Sequence, residues 1–326
     1  MTTRRYFLKR TLAAGIAAAG SSNLISCSKD DAEEHEYDIE PAMLGKTGVV
    51  IPRISVGLGS RFCNISNEDE AVGILNYALD NGLYSWDTAH GYRNNQNNVI
   101  SEERAGIVLK NRRDEVFITT KIGERDPEVV MNQVDISLKR LQTDYVDVLM
   151  IHNVLSIEDV DRICKKGGAA EAFMKLKNEG LARFIGFSCH GSHHSVSALM
   201  DRIDFDVILL AMDHHTGNQF AREKTIIPKA VEKGTGIMLM KVVRPAEHLT
   251  NFNAQDLIRY ALSIEGPTSL VLGMDSIEVV KSNAGILQNY KPVSRKEMER
   301  ITSVLTPFYE QEIFGWMQKG YHDGES

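Results

Sequence analysis

Four side chains in this sequence have the types and spacing for proton chemistry: Asp87 and Tyr92, five residues apart, and then Lys121 and His152. Asp87 ends the run Tyr84-Ser85-Trp86-Asp87, which reads as a short strand, and Tyr92 follows Gly91 in the loop that leaves it. A free phenol ionises only at about pH 10, so one that gives and takes a proton near neutrality needs a neighbour favouring its anion. A lysine ammonium has that sign, an aspartate keeps the ammonium charged and aimed, and a histidine beside them would hold the oxygen of a reacting group. Each member also has a structural reading. An acid and a tyrosine at a strand end often make a capped loop and a packed ring, and Asp87 with Lys121 could be a buried ion pair. His190, His193, His194, His214 and His215 suggest a second chemistry, metal ligation in a hydrolase barrel, with a solvated rim as the simpler account.

Whether the four can meet depends on the elements that carry them. From residue 43 onward, apolar strand segments (54–59, 84–88, 115–121, 145–151, 183–188, 206–211, 236–241, 269–273) alternate with helical periodicities (67–82, 101–111, 126–141, 169–179, 192–201, 225–233, 254–263, 276–287). The segment at 145–151 is apolar almost throughout, as a parallel sheet buried on both faces requires. Eight strands each followed by a helix give an α/β fold, the (β/α)8 TIM barrel, with a doubly wound sheet as the fallback. Chemistry on a barrel sits at the C-terminal strand ends, and Asp87, Lys121 and His152 fall on three successive ones, with Tyr92 in the loop after the first. They are therefore expected to converge at one mouth.

The chain of 326 residues carries 37 basic and 44 acidic side chains, net charge -7, which argues against a nucleic-acid partner. Hydrophobic residues make up 43%, enough for a large core, and the four cysteines have no CxxC spacing, so neither a zinc knuckle nor a disulfide framework is expected. Residues 1–26 read as an export signal: Arg4-Arg5-Tyr6-Phe7-Leu8-Lys9 resembles a twin-arginine signal, and Leu24-Ile25-Ser26-Cys27 resembles a lipobox in which Cys27 is acylated. Residues 27–42 then form an acidic, disordered tether, 43–291 the barrel, and 292–326 a C-terminal helix with an aromatic tail. The expected location is the periplasm or cell envelope, with membrane contact through the lipid alone.

Several ordered motifs resemble the aldo/keto reductase family. Leu44-Gly45-Lys46-Thr47-Gly48 is similar to its N-terminal hairpin, Trp86-Asp87-Thr88-Ala89 with Tyr92 to its Asp-Thr-Ala-x-x-Tyr motif, and Ser101-Glu102-Glu103-Arg104 to the start of its second helix. Residues 112–121, 137–147 and Ile151-His152 complete the set, so that the resemblance covers residues 44–283. It implies a tetrad of Asp87, Tyr92, Lys121 and His152 serving hydride transfer between a nicotinamide cofactor and a carbonyl or alcohol, without a metal. In that scheme Tyr92 is the general acid of reduction, Lys121 eases its ionisation, Asp87 pairs with Lys121 and His152 orients the carbonyl.

The resemblance also implies cofactor contacts. Ser188 matches a residue that holds the carboxamide, with Cys189 where the family has Asn, while Gly273, Ser276 and Asn283 resemble the adenosine-binding helix. Leu209 stands where a Gln often sits, Met240 or Lys241 where a ring often stacks, and Val279, near Asp275, where an Arg is common, which leaves NADP(H) and NAD(H) both open. About six residues between Tyr92 and Ser101 exceed the family's turn and lengthen the loop at the substrate mouth. An exported reductase meets no pool of reduced nicotinamide, so the cofactor is expected to stay bound and to be recycled on a small, sugar-like carbonyl. Outside this family the alternatives are the metal-dependent hydrolase and a non-catalytic binding lipoprotein.

Overall fold

The computed structural model describes residues 37, 39–190, 193–214, 222–247, 252–312 and 314–317; the segment read as an export signal, Cys27, most of the expected tether and His215 lie outside them. Eight parallel strands close into one barrel in chain order: β3 (Ile54–Gly57), β4 (Ser85–Asp87), β7 (Phe117–Ile122), β8 (Val146–Ile151), β9 (Ala182–Cys189), β10 (Val207–Ala211), β11 (Gly236–Met240) and β12 (Ser269–Gly273), which pairs back to β3. The fold is the (β/α)8 barrel that the alternation implies. Strands β7 and β8 are buried at every residue, because helices cover their outer faces.

Helix starts follow the capping signals. Asn67 accepts from the Glu70 amide at the head of α2 (Glu68–Asp80), and Asp126 accepts from the Glu128 and Val129 amides ahead of Pro127 in α4 (Pro127–Leu141). Between them stand α1 (Ser60–Cys63) and α3 (Ser101–Arg112). One helix escapes the sequence reading: α5 (Ile157–Cys164), capped by Ser156, precedes α6 (Ala169–Asn178) in the crossover from β8. Its apolar residues Ile157, Val160 and Ile163 do recur at helical spacing behind the Ser156 cap, but over only eight residues, so the signal is short and easily passed over. The remaining helices are α7 (His193–Arg202), α8 (Ile226–Glu232), α9 (Ala254–Leu262), α10 (Ile277–Gln288) and α11 (Arg295–Glu310).

The body starts earlier than residue 43. Strand β1 (Pro41–Met43) pairs antiparallel with β2 (Val50–Pro52), and the turn between them stops the N-terminal end of the barrel. Leu44 is fully buried and the Lys46 amide donates to the Gly234 carbonyl at 2.7 Å, just ahead of β11. Gly45 has φ +52, and a Cβ there would overlap the Gly236 backbone, so the plug seats only with glycine. Inside the barrel the Ser55 hydroxyl bridges Ser85 at 2.7 Å and Ser269 at 2.8 Å. Ser85 shares a strand face with Asp87, so this small polar layer lies directly under the acid.

Helix α11 docks through a buried polar cluster. His214 Nδ1 meets Tyr309 Oη at 2.8 Å, and Tyr260 Oη donates to Glu223 at 2.7 Å and meets Thr302 at 3.1 Å. Burial first, and Asp213 second, push the Glu223 carboxyl up to about 7, while burial alone depresses His214 to about 3. The raised carboxyl is neutral in the fold and ionised in the unfolded chain, so its stabilisation is full below about pH 4.5 and is lost as pH rises to about 7. Comparison of melting temperatures with Glu223→Gln between pH 4 and 8 isolates this group, since His214 is common to both chains. The wild type is expected to fall progressively behind the variant up to about pH 7; a gap independent of pH would count against it.

Candidate active site

Strands β4, β7 and β8 are neighbours in the barrel, and their ends bring the four expected residues together. Lys121 is fully buried, and its Nζ donates to Asp87 Oδ2 at 2.7 Å, to the Thr88 carbonyl at 2.8 Å and to Tyr92 Oη at 3.2 Å. An ammonium has three hydrogens and no acceptor, so these contacts account for all of its donors. The Tyr92 oxygen accepts from the lysine, and the phenol's own hydrogen is therefore not spent on it. The ring of half-buried His152 stands edge-on to that of Tyr92, with centroids 5.6 Å apart and planes at 73°. The tetrad was legible from the sequence; the Thr88 carbonyl as third acceptor was not, since any residue type could supply it.

The loop carrying Tyr92 is fixed at both ends. The His90 amide donates to the Lys121 carbonyl at 3.0 Å, the Tyr92 amide to Ala89 at 3.0 Å, and the Ser101 amide to the Tyr92 carbonyl at 3.0 Å. The last bond explains how extra residues fit here. They leave at Tyr92 and return beside it as a small hairpin, β5 (Arg93–Asn94) with β6 (Val99–Ile100), so the phenol keeps its place. Val99 packs with Cys63, Ala89 and Tyr92, and Asn94 ties the hairpin to Asn64 at 2.8 Å. Residues 95–98, Asn-Gln-Asn-Asn, are exposed.

A groove runs from Asp87 and Tyr92 past Gly57, Gly59 and Gly273, with Ser60, Arg61, Met240, Lys241 and Arg244 on its walls. It continues into a cavity lined by Phe252, Asn253, Val279, Ser282 and Asn283, sharing Arg61, Val243, Leu272 and Gly273 with the first. The glycines keep the floor clear: a Cβ on Gly59 would touch the Tyr92 ring at 3.5 Å, and one on Gly273 would press on Arg61 at 3.0 Å. This run of space has the elongated form that a dinucleotide would need, with Asp87 and Tyr92 at one end and Asn283 at the other. Of the three residues expected at the adenosine end, Gly273 and Asn283 line the cavity, whereas Ser276 is the N-cap of α10, accepting from the Val279 amide at 3.3 Å. Ser188 and Cys189 hold the loop after β8: the Ser188 hydroxyl accepts from the Asn153 amide at 2.9 Å, and the Cys189 thiol donates to the Val154 carbonyl at 2.9 Å. Arg61 and Arg244 were missed, although Gly57-Leu58-Gly59-Ser60-Arg61 after the first strand carries a readable loop signal.

Among the described residues the rim histidines are dispersed: His190 Nδ1 meets Asn153 at 3.1 Å, the rings of His193 and His194 lie 3.8 Å apart between centroids and tilted by 43°, and His214 is buried under α11. Among the described residues no three His, Cys, Asp or Glu side chains are placed to hold a metal ion.

Comparison with known proteins agrees with the geometry. The sequence model of the "Aldo/keto reductase family" matches residues 53–255. Methylglyoxal reductase DkgA of Escherichia coli (strain K12) is 28% identical over 228 residues, covering 66% of this chain and 77% of that protein. L-Galactose dehydrogenase of Arabidopsis thaliana is 25% identical over 313 residues, covering 82% and 95%. The holo form of an aldo-keto reductase from Bacillus halodurans superposes with a TM-score of 0.67 at 22% identity, over 82% of this chain and 97% of that one. An aldo/keto reductase from Klebsiella pneumoniae, in complex with NADP and acetate, does so at 0.60 and 21%, over 80% and 94%. With the family model spanning most of the barrel and the tetrad assembled at its mouth, this chain belongs to the aldo/keto reductase family.

Proposed function

We propose that the chain is a nicotinamide-dependent oxidoreductase that interconverts a carbonyl and an alcohol, with Tyr92 as the general acid and base. The observation that carries this reading is the three-way engagement of Lys121 by Asp87, Thr88 and Tyr92. The bound nicotinamide supplies or accepts the hydride. In reduction Tyr92 passes its proton to the carbonyl oxygen, and the Lys121 ammonium, 3.2 Å from Oη, stabilises the phenolate left behind. Asp87 keeps that ammonium charged and aimed. His152, edge-on to the phenol, holds the carbonyl oxygen against it. Oxidation runs through the same groups in reverse.

The far end of the groove would take the adenosine half of the cofactor. Among its described lining residues Arg61 is the only cation, and it is paired with Asp275 at 3.2 Å, which supports NAD(H) over a cofactor bearing a 2′-phosphate dianion. The uncharged amides of residues 95–98, on a hairpin rooted at Tyr92, suit a polyhydroxylated carbonyl, in keeping with the relative named for L-galactose. The twin-arginine-like and lipobox-like segments support export as a folded, cofactor-loaded lipoprotein acylated at Cys27, its nucleotide recycled by a second substrate.

Mass spectrometry of the native chain from membrane fractions tests both parts. The expected result is a chain beginning at acylated Cys27 that carries about one equivalent of NAD(H). An unacylated chain would remove the anchor, and an apo chain that takes up neither NAD nor NADP would end the catalytic reading.

A further inference from the structure

A second polar cluster lies behind the Lys121–Tyr92 pair. Glu102, the second residue of α3, is fully buried. Its Oε1 accepts from the Thr120 hydroxyl at 2.6 Å, on the residue just before Lys121, and its Oε2 accepts from Arg140 Nη1 at 3.5 Å. The same guanidinium donates to the His90 carbonyl at 3.2 Å, and the His90 amide donates to the Lys121 carbonyl. Ser137 meets His90 Nδ1 at 3.0 Å and hydrogen-bonds Glu102 as well. Next to Glu102, the Ser101 hydroxyl donates to Leu58 at 2.7 Å and meets the Thr88 hydroxyl at 2.7 Å. A Cβ on Gly106 would overlap the Arg140 carbonyl, so α3 and α4 approach closely enough for the arginine to reach the carboxylate.

Burying a carboxylate is costly, and packing alone would favour an apolar residue in its place. Burial pushes the Glu102 carboxyl up, and the donors Thr120, Ser137 and Arg140 work against that. What the carboxylate achieves is a junction. Through Thr120 it grips the end of β7, and through Arg140 and His90 it grips the loop that carries Tyr92. These two segments set the distance between Lys121 Nζ and Tyr92 Oη, which at 3.2 Å sits at the long edge of hydrogen bonding. A displacement of a few tenths of an ångström decides whether that bond exists.

We propose that Glu102 is a positioning residue for the acid/base pair, holding the β7 end and the 88–92 loop in the register that lets Lys121 reach Tyr92. The proposal rests on Tyr92 and Lys121 being that pair. Glu102→Gln keeps the side-chain size but puts an amide donor among three donors. Thr120→Val removes a single hydroxyl from a well-packed strand and serves if the first variant does not fold.

The expected result for Glu102→Gln is a fall in kcat of about 10- to 100-fold, the scale of a small misplacement of reacting groups. Nicotinamide affinity by intrinsic fluorescence and KM for the carbonyl substrate should stay within about twofold, and the alkaline limb of the kcat/KM–pH profile should move to higher pH, since a phenol farther from the ammonium ionises later. Thr120→Val should shift kcat and the limb in the same direction by less. A folded Glu102→Gln, or failing that a folded Thr120→Val, with wild-type kcat and limb overturns the proposal. Tyr92→Phe in the same assay separates the two readings: if it loses turnover while the Glu102 variant does not, only the positioning role fails, and if it turns over normally both fail.

Discussion

Tyr92→Phe lowers kcat/KM for carbonyl reduction by about 10²- to 10⁴-fold, the range associated with a positioned general acid, while melting temperature and nucleotide affinity stay near wild type. The separation of effects follows from what the phenol touches. Its ring packs with Cys63, Ala89 and Val99 and stands edge-on to His152, and phenylalanine keeps all of that. The oxygen is the sole atom removed, and Lys121 retains its bonds to Asp87 and the Thr88 carbonyl. Steady-state rates followed by nicotinamide absorbance, with a melting curve on the same preparation, check the result. Unchanged turnover would rule out Tyr92 as the acid.

The second large effect concerns both stability and chemistry. Lys121→Met leaves Asp87 buried without its cation, and breaking such a pair costs about 3–5 kcal/mol, so this variant should unfold at markedly lower denaturant as well as lose turnover. Asp87→Asn combined with Lys121→Met removes the stranded charge. The double variant is expected to recover much of the stability and none of the activity, because the phenolate still lacks its ammonium. Denaturant titration and turnover on the single and double variants decide it. Recovery of turnover would make the Asp87–Lys121 pair a structural ion pair, one of the two readings the sequence allows.

How far the sequence reaches is shown by which residues it places correctly. Asp87, Lys121 and His152 could be placed because strand ends are marked by apolar runs, and a barrel sends all such ends to one mouth. Tyr92 followed from its offset to Asp87. Glu102 could not be read: Ser101-Glu102-Glu103-Arg104 looks like an ordinary charged helix start, and only packing turns Glu102 inward while Glu103 remains exposed. Ser188 and Cys189 fell at the expected strand end, but side-chain direction depends on the neighbouring loop, which binds their polar atoms. The hairpin at 93–100 was visible as surplus length. Its closure onto Ser101 was not, because a single amide-to-carbonyl bond leaves no trace in residue type.

The N-terminal plug fixes more than the floor of the barrel. Strand β1 begins at Pro41 on the end opposite the catalytic mouth, so a lipid on Cys27 would tether the molecule by its closed base. The fourteen residues from one to the other span at most roughly 45–50 Å when fully extended. Attachment there would leave the catalytic mouth clear of its own anchor, and the length of the leash would set how far from the bilayer the opening can reach.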